Sequence, residues 1–301
     1  MIAPGTAQGV QLGRARAEVQ ANVELNLWQR SKQLLFDATG VAVATVMLFP
    51  IYWMVATAFK PGRDILALTP KWFPSPFTLQ NFRDAIARPF FLEDVRNSVI
   101  IVAVMLALAL AIAFLAAVGT ARFGFKGRTA FLVMIIGVQM VPLNALIIPL
   151  YLMLDSVGQV DALPGVIAVY LAAVLPFMVW TLRGFVANIP VELEESAMID
   201  GCTRVGAFLR ITFPLVGPGL VATAIFGFIQ AWNEYIIAYV LLSSPTNQTL
   251  TVWLASFTTN HGPEWGPLMA GATLTGLPVV AFFLVLQRYL AGGLTAGAVK
   301  G

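Results

Sequence analysis

The stretch NIPVELEESAMIDGCTRVGAFLRITFP, residues 188–214, is a polar segment that separates two long apolar parts of the chain. Asn188 can cap a helix, and Pro190 suits a first helical turn because it has no N–H group to satisfy. Negative charge is favourable near the amino terminus of a helix, where this segment carries Glu192, Glu194 and Glu195. Gly201 tolerates a positive φ, so it predicts the end of this first helix.

The second half of the segment predicts another short helix. Thr203 can cap it, and apolar side chains follow at Val205, Phe208, Leu209 and Ile211. Pro214 and Pro218 then predict a break before the next apolar stretch. A helix–turn–helix of this kind either fills a groove on another protein or lies as an amphipathic hairpin on a lipid surface.

The composition indicates a polytopic membrane protein. Hydrophobic residues make up 58% of the 301 residues and charged residues 11%, and the mean hydropathy is +0.81. Such a chain is too apolar for an ordinary soluble domain. The net charge of +3 comes from scattered basic residues, which does not indicate nucleic-acid binding. With Cys202 as the single cysteine, an internal disulfide and a multi-cysteine metal site are excluded.

Six apolar stretches are long enough to cross a hydrocarbon core of about 30 Å as helices. They occupy residues 34–59, 99–121, 130–154, 163–182, 218–243 and 268–287. Helices are expected because lipid offers no partner to a free backbone amide. The predicted fold class is therefore an all-α membrane protein with six transmembrane helices.

The distribution of basic residues predicts the orientation. Twelve of the 18 Lys and Arg residues lie in the two termini and in the loops after the second and fourth apolar stretches. The positive-inside rule then places both termini and residues 188–214 in the cytoplasm. The predicted organisation is a cytoplasmic arm at 1–33, a transmembrane domain at 34–291 and a cytoplasmic tail at 292–301.

The remaining six basic residues all lie in residues 60–96, on the predicted outer side. This segment also holds five prolines and six aromatic residues. It is too aromatic for a disordered linker. We expect a packed outer subregion that can meet a soluble partner.

The spacing within residues 188–214 resembles the EAA loop of importer-type ABC transporter permeases. The matching residues are Glu195, Ala197, Gly201, Ile211 and Pro214. Ser196 stands where the family commonly has Ala, and Phe213 where it commonly has Leu. In the family this loop forms short helices that dock onto the ATP-driven subunit, which favours the groove on another protein over the lipid surface.

The resemblance extends to the maltose-type sugar permeases, specifically their smaller six-span subunit. It is carried by GLTAGAVKG at residues 293–301, by WNEY at 232–235 and by QMVP at 139–142. The resemblance implies the type I permease fold of ABC importers. It also implies that the chain forms, with a second permease, the path for a sugar of the oligosaccharide class.

The resemblance further implies the partners and the coupling residues. The partners are a homologous second permease, two ATP-binding subunits, an extracytoplasmic solute-binding protein and membrane lipid. The chain itself binds no cofactor or metal and has no catalytic residue, because ATP and Mg are used by the partner subunits. In agreement, it contains no Gly-x-x-x-x-Gly-Lys-Ser/Thr sequence. The implied coupling residues are Glu194, Glu195, Ser196, Ala197, Met198, Asp200, Gly201, Ile211 and Pro214.

A carboxylate well inside the fifth apolar stretch, Glu234, suggests where solute passes. Such a group is costly in lipid unless it faces a polar cavity or a partner. On one unbroken helix Glu234 shares a stripe with Gln230, while Trp232 lies on the opposite face. The alternative is that Glu234 only hydrogen-bonds to a neighbouring helix. The predicted pathway residues are Gln139, Asn144, Gln230, Asn233 and Glu234.

Other functions remain open at this level. A secondary transporter normally shows internal repeats and buried coupling carboxylates, for which Glu234 alone is thin support. An intramembrane enzyme needs a nucleophile, a base and an orienting group, which the sequence does not offer at a plausible spacing. An ABC importer for a solute other than a sugar is also compatible. Pro142, Pro149 and Pro176 lie inside predicted spans, where they either kink helices for alternating access or have no special role.

Overall fold

The computed structural model describes the backbone of residues 5–297 and the side chains of residues 32–289. The chain divides into two compact units, Met1–Ala56 and Thr57–Gly301. The helices are α1 (Gly5–Ala58), α2 (Gly62–Ile65), α3 (Gln80–Ile86), α4 (Phe91–Arg122), α5 (Arg128–Val138), α6 (Ile147–Ser156), α7 (Leu163–Ala187), α8 (Glu192–Ile199), α9 (Arg204–Ala207), α10 (Phe213–Trp232), α11 (Ile236–Leu241), α12 (Leu250–Ala255) and α13 (Trp265–Gly297).

Three irregular elements interrupt this helical order. A 3-10 turn, Leu143–Leu146, precedes α6, and a π-helical turn, Phe208–Thr212, joins α9 to α10. Strands β1 (Thr258–Thr259) and β2 (Gly262–Pro263) pair in antiparallel fashion to form a small hairpin before α13.

Within the described residues, five helical segments are long and apolar enough to cross a membrane. They are Lys32–Ala58, Phe91–Arg122, Leu163–Ala187, Arg204–Trp232 and Trp265–Tyr289. A bent pair, Arg128–Val138 with Leu143–Ser156, makes a sixth if it counts as one span. The predicted class, an all-helical membrane protein, is confirmed. The side chains of residues 1–31 and 290–301 lie outside the described range, and the cytoplasmic placement of the arm and tail stays a prediction.

The third predicted span, residues 130–154, is not one straight helix. Its two halves meet at an angle of 87°, and Pro142 lies at the break in an extended conformation. A proline has no N–H group, and its ring clashes with the carbonyl of the residue four positions earlier in a helix. It also disfavours helical angles in the residue before it. The suggested kink at Pro142 is therefore a full break.

Both predicted boundaries of the fifth span, residues 218–243, are wrong. The helical segment begins at Arg204 and ends at Trp232, so Pro214 and Pro218 do not break the chain. In the π-helical turn, the N–H group of Phe213 bonds to the carbonyl of Phe208, five residues earlier. This wider turn gives the ring of Pro214 room that a regular α-helix lacks. The chain leaves the helix after Trp232 and resumes as α11.

The core of the second unit forms where α4 packs along α7. Fully buried residues recur at every fourth position of α4, which places them on one face: Ile101, Met105, Ala109, Ala113 and Ala117. On α7 the facing side chains include Met178, Leu182 and Val186, all fully buried. Because three of the α4 residues are alanines, the two backbones can approach closely, as is typical of membrane helix pairs.

The predicted outer subregion, residues 60–96, is packed, although its last residues belong to α4. The side-chain amide of Asn81, which lies in α3, donates to the carbonyl oxygens of Ala58 and Lys60 at 2.9 and 2.8 Å. The ring of Phe59 stacks on Phe77 with centroids 4.6 Å apart. These contacts tie α3 to the chain that follows α1. The meeting of this subregion with a soluble partner stays a prediction.

Trp232 should contribute mainly to stability. Its indole N–H donates to the carbonyl of Thr275 at 3.0 Å, its ring stacks on Phe228, and the residue is 7% exposed. Trp232→Ala should cost roughly 3–5 kcal/mol, the range for large buried aromatic side chains. Tyr239→Ala is the control, since Tyr239 is 60% exposed. Thermal unfolding of the detergent-purified protein measures both, and equal losses would contradict the assignment.

Candidate coupling loop and translocation cavity

Gly201 forms the tight turn between α8 and α9. Its φ is +90°, and a Cβ atom added there would meet no atom within 4 Å. The N–H group of Cys202 donates to the carbonyl of Ala197 at 3.0 Å, and that of Gly201 donates to Met198 at 3.1 Å. This pair of bonds is a Schellman motif. The predicted stop at Gly201 is confirmed, and the backbone angle rather than space requires glycine.

The predicted cap at Thr203 is confirmed, and the one at Asn188 is wrong. Oγ1 of Thr203 accepts a hydrogen bond from the N–H group of Gly206 at 3.1 Å. α8 begins after Val191 without a side-chain cap. Asn188 instead ends α7, because that helix continues past its predicted end while Val186 packs in the core.

The helix–turn–helix presents exposed apolar side chains, which we call the coupling surface: Leu193, Met198, Ile199, Val205 and Leu209. Ile199 is 86% exposed and was not among the predicted coupling residues. Of those residues, Glu195, Ser196, Met198, Asp200, Gly201 and Pro214 are exposed, while Glu194, Ala197 and Ile211 are half-buried. A grouped set of exposed apolar side chains is typical of a protein interaction site.

Glu194 turns away from the coupling surface. Its Oε1 lies 3.0 Å from Nε of Arg122, at the end of α4, and accepts a hydrogen bond from the hydroxyl of Thr212 at 2.5 Å. The side chains of Arg122 and Glu194 are 9% and 12% exposed. Removing one partner of an ion pair this buried leaves an uncompensated charge. Through these two contacts, Glu194 joins α8 to Arg122 at the end of α4 and to Thr212 at the start of α10.

Sequence reasoning missed Arg122 and Thr212. The only feature of the sequence that distinguishes Arg122 is its position as a basic residue just after an apolar stretch, which indicates orientation and not an ion pair. Pairing with Glu194 depends on two segments far apart in sequence, which no local pattern predicts.

Glu234 does not lie on an unbroken helix. α10 ends at Trp232, and the carboxylate of Glu234 accepts hydrogen bonds from the N–H groups of Ile237 and Ala238 at 2.9 and 3.1 Å. It thus caps α11, and the predicted stripe shared with Gln230 on one helix is wrong.

The same carboxylate also binds a neighbouring helix. The hydroxyl of Tyr170, in α7, donates to Oε2 of Glu234 at 2.8 Å, and the hydroxyl of Thr251 donates to its carbonyl oxygen at 2.7 Å. This geometry favours the alternative left open by the sequence, in which Glu234 bonds to a neighbouring helix. A direct contact of Glu234 with solute stays a prediction.

A cavity of about 360 Å³ lies at the break of the third span. Gln139 and Gln230 are its two amide side chains, and the rest of the lining is apolar and includes Pro142 and Pro176. Asn144 and Asn233 are exposed but do not line it. The break brings Gln139 to the side of α7 and α10, so two predicted pathway residues line the same cavity. Amides both donate and accept hydrogen bonds, which suits solute hydroxyl groups.

The loop before α7 is tied to the loop after α11 by Asp161. The carboxylate of Asp161 accepts hydrogen bonds from the N–H group and the hydroxyl of Ser244, and its own N–H group donates to Leu241 at 2.8 Å. Burial alone would raise the pKa of this carboxyl group, but the hydrogen bonds from Ser244, Asn247 and Ser243 together outweigh it, so the pKa of Asp161 lies below its usual value. These bonds hold α11 beside α6 and α7.

Residues 109–295 match the family described as the inner membrane component of binding-protein-dependent transport systems. The match covers both the coupling loop and the cavity. The chain belongs to this family. It is therefore a multi-pass plasma-membrane protein and a transport subunit, as predicted.

Two named relatives align with nearly the whole of this chain. The diacetylchitobiose uptake system permease protein DasC of Streptomyces coelicolor is 43% identical over 265 residues, covering 88% of this chain and 96% of that protein. The trehalose/maltose transport system permease protein MalG of Thermococcus litoralis is 32% identical over 273 residues, covering 90% and 98%. A chain in the crystal structure of a bacterial ABC transporter involved in alginate import has the same fold, with a TM-score of 0.73 at 20% identity over 86% of this chain and 98% of that one.

Gly201→Val should weaken the coupling to an ATP-driven subunit that the resemblance to the EAA loop implies. A β-branched residue at positive φ costs about 1–3 kcal/mol, so the turn should reshape and the coupling surface should reorient. The solute-stimulated ATP hydrolysis of the reconstituted complex should fall severalfold. Gly201→Asn is the matched control, since Asn tolerates this conformation. An unchanged rate in the Val variant would contradict the assignment of the turn.

Proposed function

We propose that this chain is the permease subunit of a binding-protein-dependent ABC importer for a sugar of the oligosaccharide class. The observation that carries the proposal is the exposed coupling surface, held by the Gly201 turn in a member of this transport family. The sugar class is supported by the relatives, which are named for diacetylchitobiose, for trehalose and maltose and for arabinooligosaccharides.

We assign ATP and Mg to two partner ATP-binding subunits. The coupling surface is apolar and exposed, as expected of a surface that another protein covers. The chain contains no phosphate-binding Gly-rich sequence followed by Lys and Ser or Thr. We expect Glu195, Met198 and Asp200 to contact these subunits directly, and Glu194 to act through its contact with Arg122.

A second, homologous permease should complete the pathway. Gln139 and Gln230 are exposed in the isolated chain, and polar side chains facing hydrocarbon are costly. A partner permease that closes the cavity would give both amides an aqueous or protein environment. A solute-binding protein is the expected outer partner, since the alginate transporter was also solved in complex with a periplasmic protein bound to alginate pentasaccharide.

The geometry suggests how motion reaches the cavity. Movement of the coupling surface passes through Glu194 to Thr212, near the start of the long helical segment Arg204–Trp232. Gln230 lies near the other end of that segment, about 27 Å away at 1.5 Å per residue. A helix transmits displacement over this distance as a rigid body, so ATP-driven motion would change the cavity wall beside Gln139. A secondary transporter is less well supported, because the carboxylate of Glu234 is already used in structural hydrogen bonds.

Transport assays on assembled complex test the proposed function. A tag on this chain should co-purify an ATP-binding subunit, and Gln230→Ala should lower the uptake of radiolabelled oligosaccharide per assembled complex. Glu234→Ala should instead lower the amount of assembled complex, because it removes the cap of α11. Gln80→Ala, on the exposed part of α3, is the control. Normal uptake by Gln230→Ala would exclude the amide pair from the pathway, while the absence of an ATP-binding subunit would overturn the ABC assignment.

Thiol labelling tests the proposed orientation. Cys202 is the only cysteine and lies in the coupling loop. A membrane-impermeant maleimide applied to intact cells should not label Cys202. It should label Ser75→Cys in a Cys202→Ser background, since residue 75 lies in the predicted outer subregion and is exposed. If Cys202 were labelled and Ser75→Cys were not, the proposed orientation would be wrong.

A further inference from the structure

A second cavity, of about 420 Å³, lies between the end of α4 and the coupling loop. Its polar lining is Arg122, Arg204 and Glu194, and its apolar lining includes Leu115, Val118 and Phe208. Val205, which belongs to the coupling surface, forms its edge on the side of the coupling loop. This second cavity is separate from the cavity beside Gln139 and Gln230, with which it shares no lining residue. We call it the α4-end pocket.

The guanidinium groups of this pocket can bind an anion, because neither their positive charge nor their N–H donors are fully paired. Nε of Arg122 lies 3.0 Å from Oε1 of Glu194, whereas its buried Nη2 makes no hydrogen bond within the described residues. Arg204 stacks over the ring of Phe123 at 5.4 Å and forms no ion pair with the described acidic residues. A buried N–H donor without an acceptor is unfavourable. The two arginines and Glu194 therefore leave one positive charge unbalanced, beside the Nη2 donor of Arg122 that lacks an acceptor.

The apolar part of the pocket determines what kind of anion fits. Leu115 and Val118 belong to α4, which is long and apolar enough to cross the membrane. The pocket thus lies at the end of a membrane-spanning segment, where we expect the apolar side chains to face hydrocarbon and the guanidinium groups to lie near the headgroups. A free phosphate or a nucleotide would leave this apolar lining uncovered. A phospholipid would cover it with an acyl chain and place its phosphate near the two arginines.

We propose that the α4-end pocket binds one anionic phospholipid, with the phosphate near Arg122 and Arg204 and an acyl chain along Leu115, Val118 and Phe208. The lipid contacts the arginine that also holds Glu194 of the coupling loop. Its occupancy therefore stabilises the position of α8 relative to α4. The proposal does not depend on which solute is transported.

The test uses the full complex in nanodiscs that contain phosphatidylglycerol with a photoreactive acyl chain. Labelled positions are mapped by mass spectrometry. Label should appear at Leu115 and Val118, in addition to general labelling of lipid-facing helices such as α13. Arg204→Gln should lower the label at Leu115 and Val118 about tenfold relative to α13, as expected for the loss of one charge-assisted hydrogen bond.

A second variant fills the pocket instead of removing charge. Gly119 lines the pocket, and a Cβ atom added there meets no atom within 4 Å, so Gly119→Leu should occupy the space without disturbing the core. It should reduce the label at Val118 to background. Gly184→Leu is the matched control, since a Cβ atom at this exposed helical glycine also meets nothing and it does not line the pocket. The amount of assembled complex is measured for each variant.

Three outcomes would overturn the proposal. The first is equal labelling of the pocket, relative to α13, in the wild type and in both variants, which would indicate general bilayer contact. The second is competition by inorganic phosphate, which would indicate a free anion. The third is a pocket without lipid label that cross-links to a partner subunit, which would indicate a protein occupant.

Discussion

The close packing of α4 against α7 is the constraint on which the other contacts of the second unit depend. Alanines at every fourth position of α4 let the two helices approach, and this fixes both ends of α4 relative to α7. One end brings Arg122 to Glu194 of the coupling loop. α7 in turn carries Tyr170 to Glu234, which determines where α11 begins. A larger side chain in this alanine stripe would separate the helices and displace both contacts.

Departures from regular helix occur where function is proposed. The break at Pro142 opens the cavity that Gln139 and Gln230 share. The π-helical turn Phe208–Thr212 joins the coupling loop to α10 without interrupting the helical segment. Irregular backbone inside a membrane protein is tolerated where it is buried in protein or lines a cavity.

The coupling loop was the part of the site most readily predicted from sequence. The turn at Gly201 and the cap at Thr203 depend on residues within a few positions of each other, and both are confirmed. The pathway residues were harder to predict. Gln139 and Gln230 share a cavity, whereas Glu234 is directed into the protein. The predicted stripe required a straight helix through Glu234, and the helix ends at Trp232 instead.

The sequence by itself determined the membrane class, the approximate positions of the apolar helices, the helix–turn–helix and the transport family. These follow from hydrophobicity, short-range spacing and the special backbone freedom of glycine, all of which are local properties. Only the tertiary structure decided that the third span is broken, that Arg122 pairs with Glu194, and that Tyr170 holds Glu234. Those outcomes depend on contacts between residues far apart in the chain, where the cost of burying a charge or an amide is balanced by a partner that no local pattern identifies.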